Sequence, residues 1–170
     1  MIGKKIYKSS FKPEEYAKAA AWCNENGAII QERETYFEVV PIPQLSLQEL
    51  KNDKLVQVTN WTEKKITGGF VYNGVTYDSD VDTQITMQGI ALNVNTPLFA
   101  EKYPQGCPVR GYDNNSTEKS IHFLDADGVL GFCAALSMHI GFCKQMGWIL
   151  QNRVEKATTK EELDQIVWAE

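Results

Sequence analysis

Three aspartates at alternate positions, Asp78, Asp80 and Asp82, are the residues of this chain whose spacing comes nearest to a known chemistry. Carboxylates spaced in this way open a calcium loop, in which several oxygens wrap one hard cation. That loop also needs glycine at its sixth position and a bidentate glutamate at its twelfth, where this chain has Thr83 and Gly89. The spacing therefore reads as helix capping. His139 stands between Cys133 and Cys143 in a helical pattern, but the offsets place the three side chains only partly on one side. A packed histidine with a hydrogen-bonded ring is expected there, not a zinc ligand. Ser137 and His139 are two residues apart, so on a helix they point about 200° away from each other and cannot form a nucleophile–base pair. Glu161 and Glu162 fall at a helix start, where they complement the dipole. No glycine-rich phosphate loop, dinucleotide fingerprint, zinc-protease or nucleophile-elbow pattern is present. The residues thus give no catalytic group, no cofactor-binding group and no metal ligand.

The elements around these residues are more legible. In Ile66 to Asp80, Asn73-Gly74 supplies the two positive-φ positions of a tight turn between β-branched and aromatic runs, which encodes a hairpin over about 66–78. Asp80 then caps a helix carrying Val81, Ile85, Gln88 and Leu92 down one face and ending near Asn95-Thr96-Pro97. Residues 97–116 are rich in Pro, Gly and Asn and read as loop. Lys119 to Leu124 reads as a strand in which Ile121 and Phe123 alternate with a solvent-facing His122. Asp125 caps the longest helix, about Asp127 to Ala157, with an apolar stripe of Phe132, Leu136, Ile140, Cys143, Met146, Leu150 and Val154. Thr159 and Glu162 form a capping box that opens a final helix from Lys160 to Val167.

Upstream, Lys5 to Lys8 reads as a short strand. A helix follows with Pro13, Glu14 and Glu15 in its first turn and Asn26-Gly27 at its end. Ala28 to Glu32 and Thr35 to Ile42 complete a small β-α-β-β module over residues 1–45. From Ser46 to Lys65 two periods compete. The stripe Leu47, Leu50, Lys54, Val58 and Trp61 is helical, Leu55 to Thr59 has strand propensity, and the capping-box pair Ser46 and Glu49 favours helix. The expected fold class is α+β: the N-terminal module, then an α-rich domain over 46–170 with a β-hairpin and long helices.

Composition bounds the function. With 170 residues, 43% hydrophobic and 23% charged, the chain is long enough for a proper core. A net charge of −5, with no basic run longer than Lys4-Lys5 or Lys64-Lys65, argues against nucleic-acid binding. Residues 1–8 hold lysines but no apolar leader, and no stretch approaches a membrane span, so synthesis and folding in the cytoplasm are expected. Cys23, Cys107, Cys133 and Cys143 show no paired spacing and read as free thiols. Trp22, Trp61, Trp148 and Trp168 read as core residues first and interface residues second.

Gly69-Phe70-Val71-Tyr72-Asn73-Gly74-Val75-Thr76-Tyr77-Asp78-Ser79-Asp80, then Gln84-Ile85-Thr86, Asp113-Asn114, Leu124-Asp125-Ala126-Asp127, His139, Trp148 and Leu150, and Glu155 through Leu163 recur here in a familiar order. Over residues 64–168 the chain resembles an uncharacterised domain of bacteriophage and prophage tail-fibre-region proteins. Ile6-Tyr7-Lys8, Tyr16 through Asn24 and Tyr36 through Val40 are similar to a small module that often precedes it in phages of gut bacteria. Pro108-Val109-Arg110 stands where that family often has a Pro-Trp pair. The resemblance implies a non-enzymatic virion structural protein, made in the host cytoplasm and associated with tail, tail fibre or baseplate. Its partners would be other phage structural proteins and copies of itself, a trimer if it belongs to a fibre. The alternative is a fibre-assembly chaperone left out of the finished particle. Contact with a host-surface receptor would use the 97–116 segment, through Tyr112, Asp113 and Asn114.

Overall fold

A computed structural model describes residues 1–114 and 116–168 of the chain. It divides into two compact units, Met1–Ser46 and Leu47–Glu170.

In the first unit a strand β1 (Lys5–Tyr7) runs through a 3-10 turn into helix α1 (Pro13–Asn26), followed by strands β2 (Ala28–Glu32) and β3 (Tyr36–Pro41). Pro13 fixes the first helical turn without forfeiting a needed N–H. Gly27 ends the helix in the left-handed conformation, φ 61°, which a β-carbon would strain. Strand order is β1-β3-β2, antiparallel throughout, with Ile6 opposite Phe37 and Ile30 opposite Val39. Ile6, Ala19, Cys23, Ala28 and Val39 form its core, and Tyr16 meets Phe37 edge-on at 5.2 Å.

The second unit is organised by helix α5 (Ala126–Lys156). Its first half packs against strands β4 (Phe70–Tyr72), β5 (Val75–Tyr77), β6 (Cys107–Tyr112) and β7 (Lys119–Leu124), and against helices α3 (Val81–Ala91) and α4 (Pro97–Lys102). There Val129, Phe132 and Leu136 bury themselves among Phe70, Tyr77, Met87, Val94, Phe99 and Cys107. Its second half packs against helix α2 (Leu47–Thr67) and helix α6 (Lys160–Asp164), with Leu150 and Val154 joining Val58, Ala157, Leu163 and Ile166. The helical period through residues 46–65 thus outweighs the local strand propensity, because the stripe from Leu47 to Trp61 has α5 to cover it.

Small residues set how closely α5 can be approached. A β-carbon on Gly147 would collide with Thr62 Oγ1 of α2, which already bonds the Val58 carbonyl at 2.9 Å. A β-carbon on Gly131 would lie 2.5 Å from the Tyr72 hydroxyl. Ser79, fully buried, ties the end of α2 to the base of the hairpin. Its hydroxyl donates to the Ile66 carbonyl (2.5 Å) and accepts from Gly69 N–H (2.9 Å), while Gln84 donates to its carbonyl (2.7 Å). No sequence pattern marked this serine.

The turn and caps follow the residues. Asn73 (φ 50°) and Gly74 (φ 79°) make the hairpin turn. Asp80 Oδ1 accepts from Thr83 N–H at 2.8 Å, and Asp125 Oδ1 from Gly128 N–H at 2.7 Å. Glu162 N–H donates to Thr159 Oγ1, while the Glu162 carboxylate takes the Thr158 N–H, so the box closes one residue early. The last helix is also shorter than its pattern, ending at Asp164 instead of Val167.

Four expectations are corrected. Within residues 97–116 two stretches are not loop: Pro97–Lys102 form α4, and Cys107–Tyr112 form β6, which joins the hairpin to β7 in a four-stranded antiparallel sheet, β4-β5-β6-β7. Pro108 is tolerated because β5 pairs with β6 only at Gly111 and Tyr112, leaving Pro108 bonded on one side alone. On α3 the Val81, Ile85 and Leu92 face is exposed, and Met87, Ile90 and Ala91 turn to the core. On β7 the alternation is inverted, with His122 inward and Ile121 and Phe123 outward. Finally, α5 is long and apolar enough by length and composition to cross a membrane, although Ser137, His139, Lys144 and Gln145 interrupt the run and seven of its residues are buried in the fold.

Replacing Gly147 with alanine should force α2 away from α5 and destabilise the second unit by about 1–3 kcal/mol, the usual cost of overpacking. Adding Thr62→Ala should recover most of that loss. Urea denaturation of the two variants checks it, and a Gly147→Ala protein as stable as the parent would refute the contact.

Candidate functional site

Tyr112, Asp113 and Asn114 lie at one end of the second sheet, where β6 turns toward β7. Pairing of Tyr112 with Thr76 on one side and Lys119 on the other fixes Tyr112 on the outer face. The Lys119 ammonium lies 5.2 Å from the Tyr112 ring centre and bonds the Asp78 carboxylate at 2.5 Å. That carboxylate, and a smaller effect of the tyrosine, hold the Lys119 pKa above its ordinary value. Asn114 brings its side-chain amide within 3.8 Å of where a β-carbon on Gly74 would stand. The tips of the two hairpins therefore sit side by side.

Beneath the tip is a polar cluster not foreseen from the sequence. Ser120 Oγ donates to Asp113 Oδ2 at 2.5 Å and stands 2.8 Å from His122 Nε2, which is itself 3.4 Å from Asp113 Oδ1. These are the three residue types of a hydrolase triad in the wrong order. A working triad puts the imidazole between serine and carboxylate, so that one ring nitrogen takes the serine proton and the other is held by the acid. Here the single hydroxyl proton goes to the carboxylate, and the same imidazole nitrogen serves both neighbours. The arrangement fixes the hairpin end and does not activate the serine. The only advance signal was the i, i+2 spacing of Ser120 and His122, which on a strand places both on one face.

Below the cluster the Tyr77 ring meets His122 edge-on at 5.7 Å and Phe132 at 5.1 Å. Burial, and after it the negative charge of Asp113, push the Tyr77 pKa above 10.0.

The remaining sequence candidates are dispersed. Asp78 pairs with Lys119, and Asp80 caps α3, its backbone bond from Thr83 holding its pKa below the ordinary carboxylate range. His139 Nε2 lies 3.0 Å from the Lys65 carbonyl and 3.8 Å from Cys143 Sγ, with its ring centre 6.1 Å from that of Phe70. Cys133 points elsewhere, donating to the Met87 carbonyl. All four cysteines are free, and burial pushes the thiols of Cys107, Cys133 and Cys143 upward, which keeps them protonated and unreactive. Among the described residues no three His, Cys, Asp or Glu side chains are grouped to hold a metal ion. A cleft of about 660 Å³ is lined by Trp61, Lys64, Lys65, Gly68, Gly69, His139 and Trp168, with its two lysines at the C-terminal turn of α2, where cations ordinarily sit.

What the second unit does present is uncovered apolar surface on regular elements. Val81, Ile85 and Leu92 stand out from α3, Val71, Ile121 and Phe123 from the outer face of the sheet, and Met138, Phe142 and Trp148 from α5. Trp61 and Trp168 pack against the α2–α5 core, whereas Trp148 does not.

The fold and its surface define an α+β protein whose distinguishing features are exposed apolar faces and a double-hairpin tip. The chain belongs to the family described as a domain of unknown function (DUF4376), whose model matches residues 49–167. The N-terminal module precedes the matched segment. No curated protein and no solved structure matches the chain.

Because the Tyr77 pKa is raised, its hydroxyl contributes stability that is complete below about pH 10 and lost as pH climbs through the higher folded value. Ultraviolet titration against a Tyr77→Phe reference should find this phenol ionising later than a free tyrosine. Asp113→Asn should lower its pKa only in part, since burial is the larger cause. Ionisation at or below pH 10 would contradict the burial of the ring.

Proposed function

We propose that this chain is a non-enzymatic bacteriophage virion structural protein, associated with the tail, tail fibre or baseplate and working through protein–protein contact. The observation that carries this reading is the row of large apolar side chains left uncovered on packed helices and strands, notably Met138, Phe142 and Trp148 on α5. Exposed apolar surface on regular elements costs solubility and favours a role in which another macromolecule covers it. The resemblance of residues 64–168 to domains of tail-fibre-region proteins supplies the setting. Partners would be other phage structural proteins and further copies of the chain. The net charge of −5 weighs against nucleic acid.

Receptor contact at the host surface falls to the tip carrying Tyr112, Asp113 and Asn114, where Ser120 bonds Asp113 and Lys119, beside Tyr112, pairs with Asp78.

Mass spectrometry of purified particles should find the polypeptide in stoichiometric amount. Its absence there, with tight binding to a separate fibre protein in infected cells, would make it an assembly chaperone, and absence from both would end the tail reading. In the same particles, replacing Tyr112, Asp113 and Asn114 with alanine should slow adsorption several-fold, and unchanged adsorption would remove the receptor role.

A further inference from the structure

Of the two glycines in the second half of α5, Gly141 has no steric reason among the described residues. A β-carbon there would meet none of them within 4 Å, whereas one on Gly147 would collide with Thr62. Glycine in a helix interior is unfavourable relative to alanine, so an open glycine on a long helix calls for another cause. At about 100° per residue, Gly141 falls on the same exposed stripe as Ala134, Met138, Gln145 and Trp148.

The stripe is self-complementary about Gly141. Ala134 and Trp148 each lie seven residues from it, in opposite directions. An antiparallel copy of the helix crossing at Gly141 would set each Trp148 over an Ala134, large on small, with the backbones closest at the glycine. Between Leu130 and Ile149 the only Lys, Arg, Asp or Glu is Lys144, at the edge of the stripe.

The area is sufficient. Met138, Phe142 and Trp148 leave 76%, 61% and 64% of their surfaces uncovered, and Leu130 and Ile149 add 42% and 47%. With roughly 150–250 Å² for a large side chain, full covering of all five comes to at most about 600 Å² per copy, or about 1,200 Å² for two, the lower edge of stable specific interfaces.

We propose that the outer face of α5 is a homodimer interface, with two copies of the helix crossing antiparallel on a two-fold axis at Gly141. An isologous contact of this kind closes on itself and leaves the hairpin tips free. The pairing extends the interaction reading above but not the tail location, so it can fail while the protein is still found in particles, and the reverse.

The test uses the full chain. Light scattering at micromolar concentration should give a dimer. Gly141→Cys, which the open surface accommodates, should cross-link efficiently with a short bis-maleimide, because each residue faces its own copy across the axis. Ala134→Cys should not, since the two copies would stand about 21 Å apart along the helix, fourteen residues at about 1.5 Å each. The unsubstituted protein is the control for the native thiols. Gly141→Leu should raise the dimer dissociation constant at least tenfold while circular dichroism shows the helix intact. A monomer, or a trimer in which both cysteine variants cross-link equally as parallel helices would, overturns the proposal. So does a dimer indifferent to Gly141→Leu.

Discussion

The contact between α2 and α5 is the constraint on which the second unit depends. Val58 and Val154 are fully buried across it, and the absence of a side chain at Gly147 admits Thr62. Neither helix could hold its place by intrinsic propensity alone. Most helical stability in proteins comes from covering an apolar face, and α2 has that face only while α5 lies against it. From this pair the rest is positioned. Ser79 fastens the end of α2 to the hairpin base, and the hairpin provides the edge on which β6 and β7 assemble.

The same arrangement explains which side of each element is dry. Once β7 is registered with Gly111 opposite Ser120, His122 must enter on the side of Tyr77, and Ile121 and Phe123 must leave on the other. A register shift of one residue would exchange the two sets. The histidine is accommodated because Ser120 and Asp113 both lie against its Nε2, so a polar residue occupies an inner position with partners at that nitrogen. On α3, Met87 and Ala91 are drawn to α5 and Val81, Ile85 and Leu92 are left in solvent. Apolar residues thus stand on the outside of three different elements.

Features decided within a few residues were legible in the sequence: the Asn73-Gly74 turn, the caps at Asp80 and Asp125, the left-handed stop at Gly27 and the stripe along α5. Each rests on local sterics or a hydrogen bond three residues away. Features decided by a distant partner were not. Pro, Gly and Asn between residues 97 and 116 have loop chemistry, yet Pro97 begins a helix and Cys107 to Tyr112 pair with β7, with Gly111 and Tyr112 bonded to β5 as well. Val81, Ile85 and Leu92 form a sound apolar face that is left exposed among the described residues. At the tip, Asp113 was visible as a turn residue, but Ser120 and His122 became neighbours of it only through the β6–β7 pairing.

If α2 against α5 is the frame and the remaining elements are hung from it, then protection from exchange should be graded in that order. Native-state hydrogen exchange read residue by residue tests this most directly. Amides around Val58 and from Cys143 to Val154 should open only with global unfolding, and those of β4 to β7 and α3 at lower free energies. Equal or faster opening in the middle of α2 than in the hairpins would contradict the account.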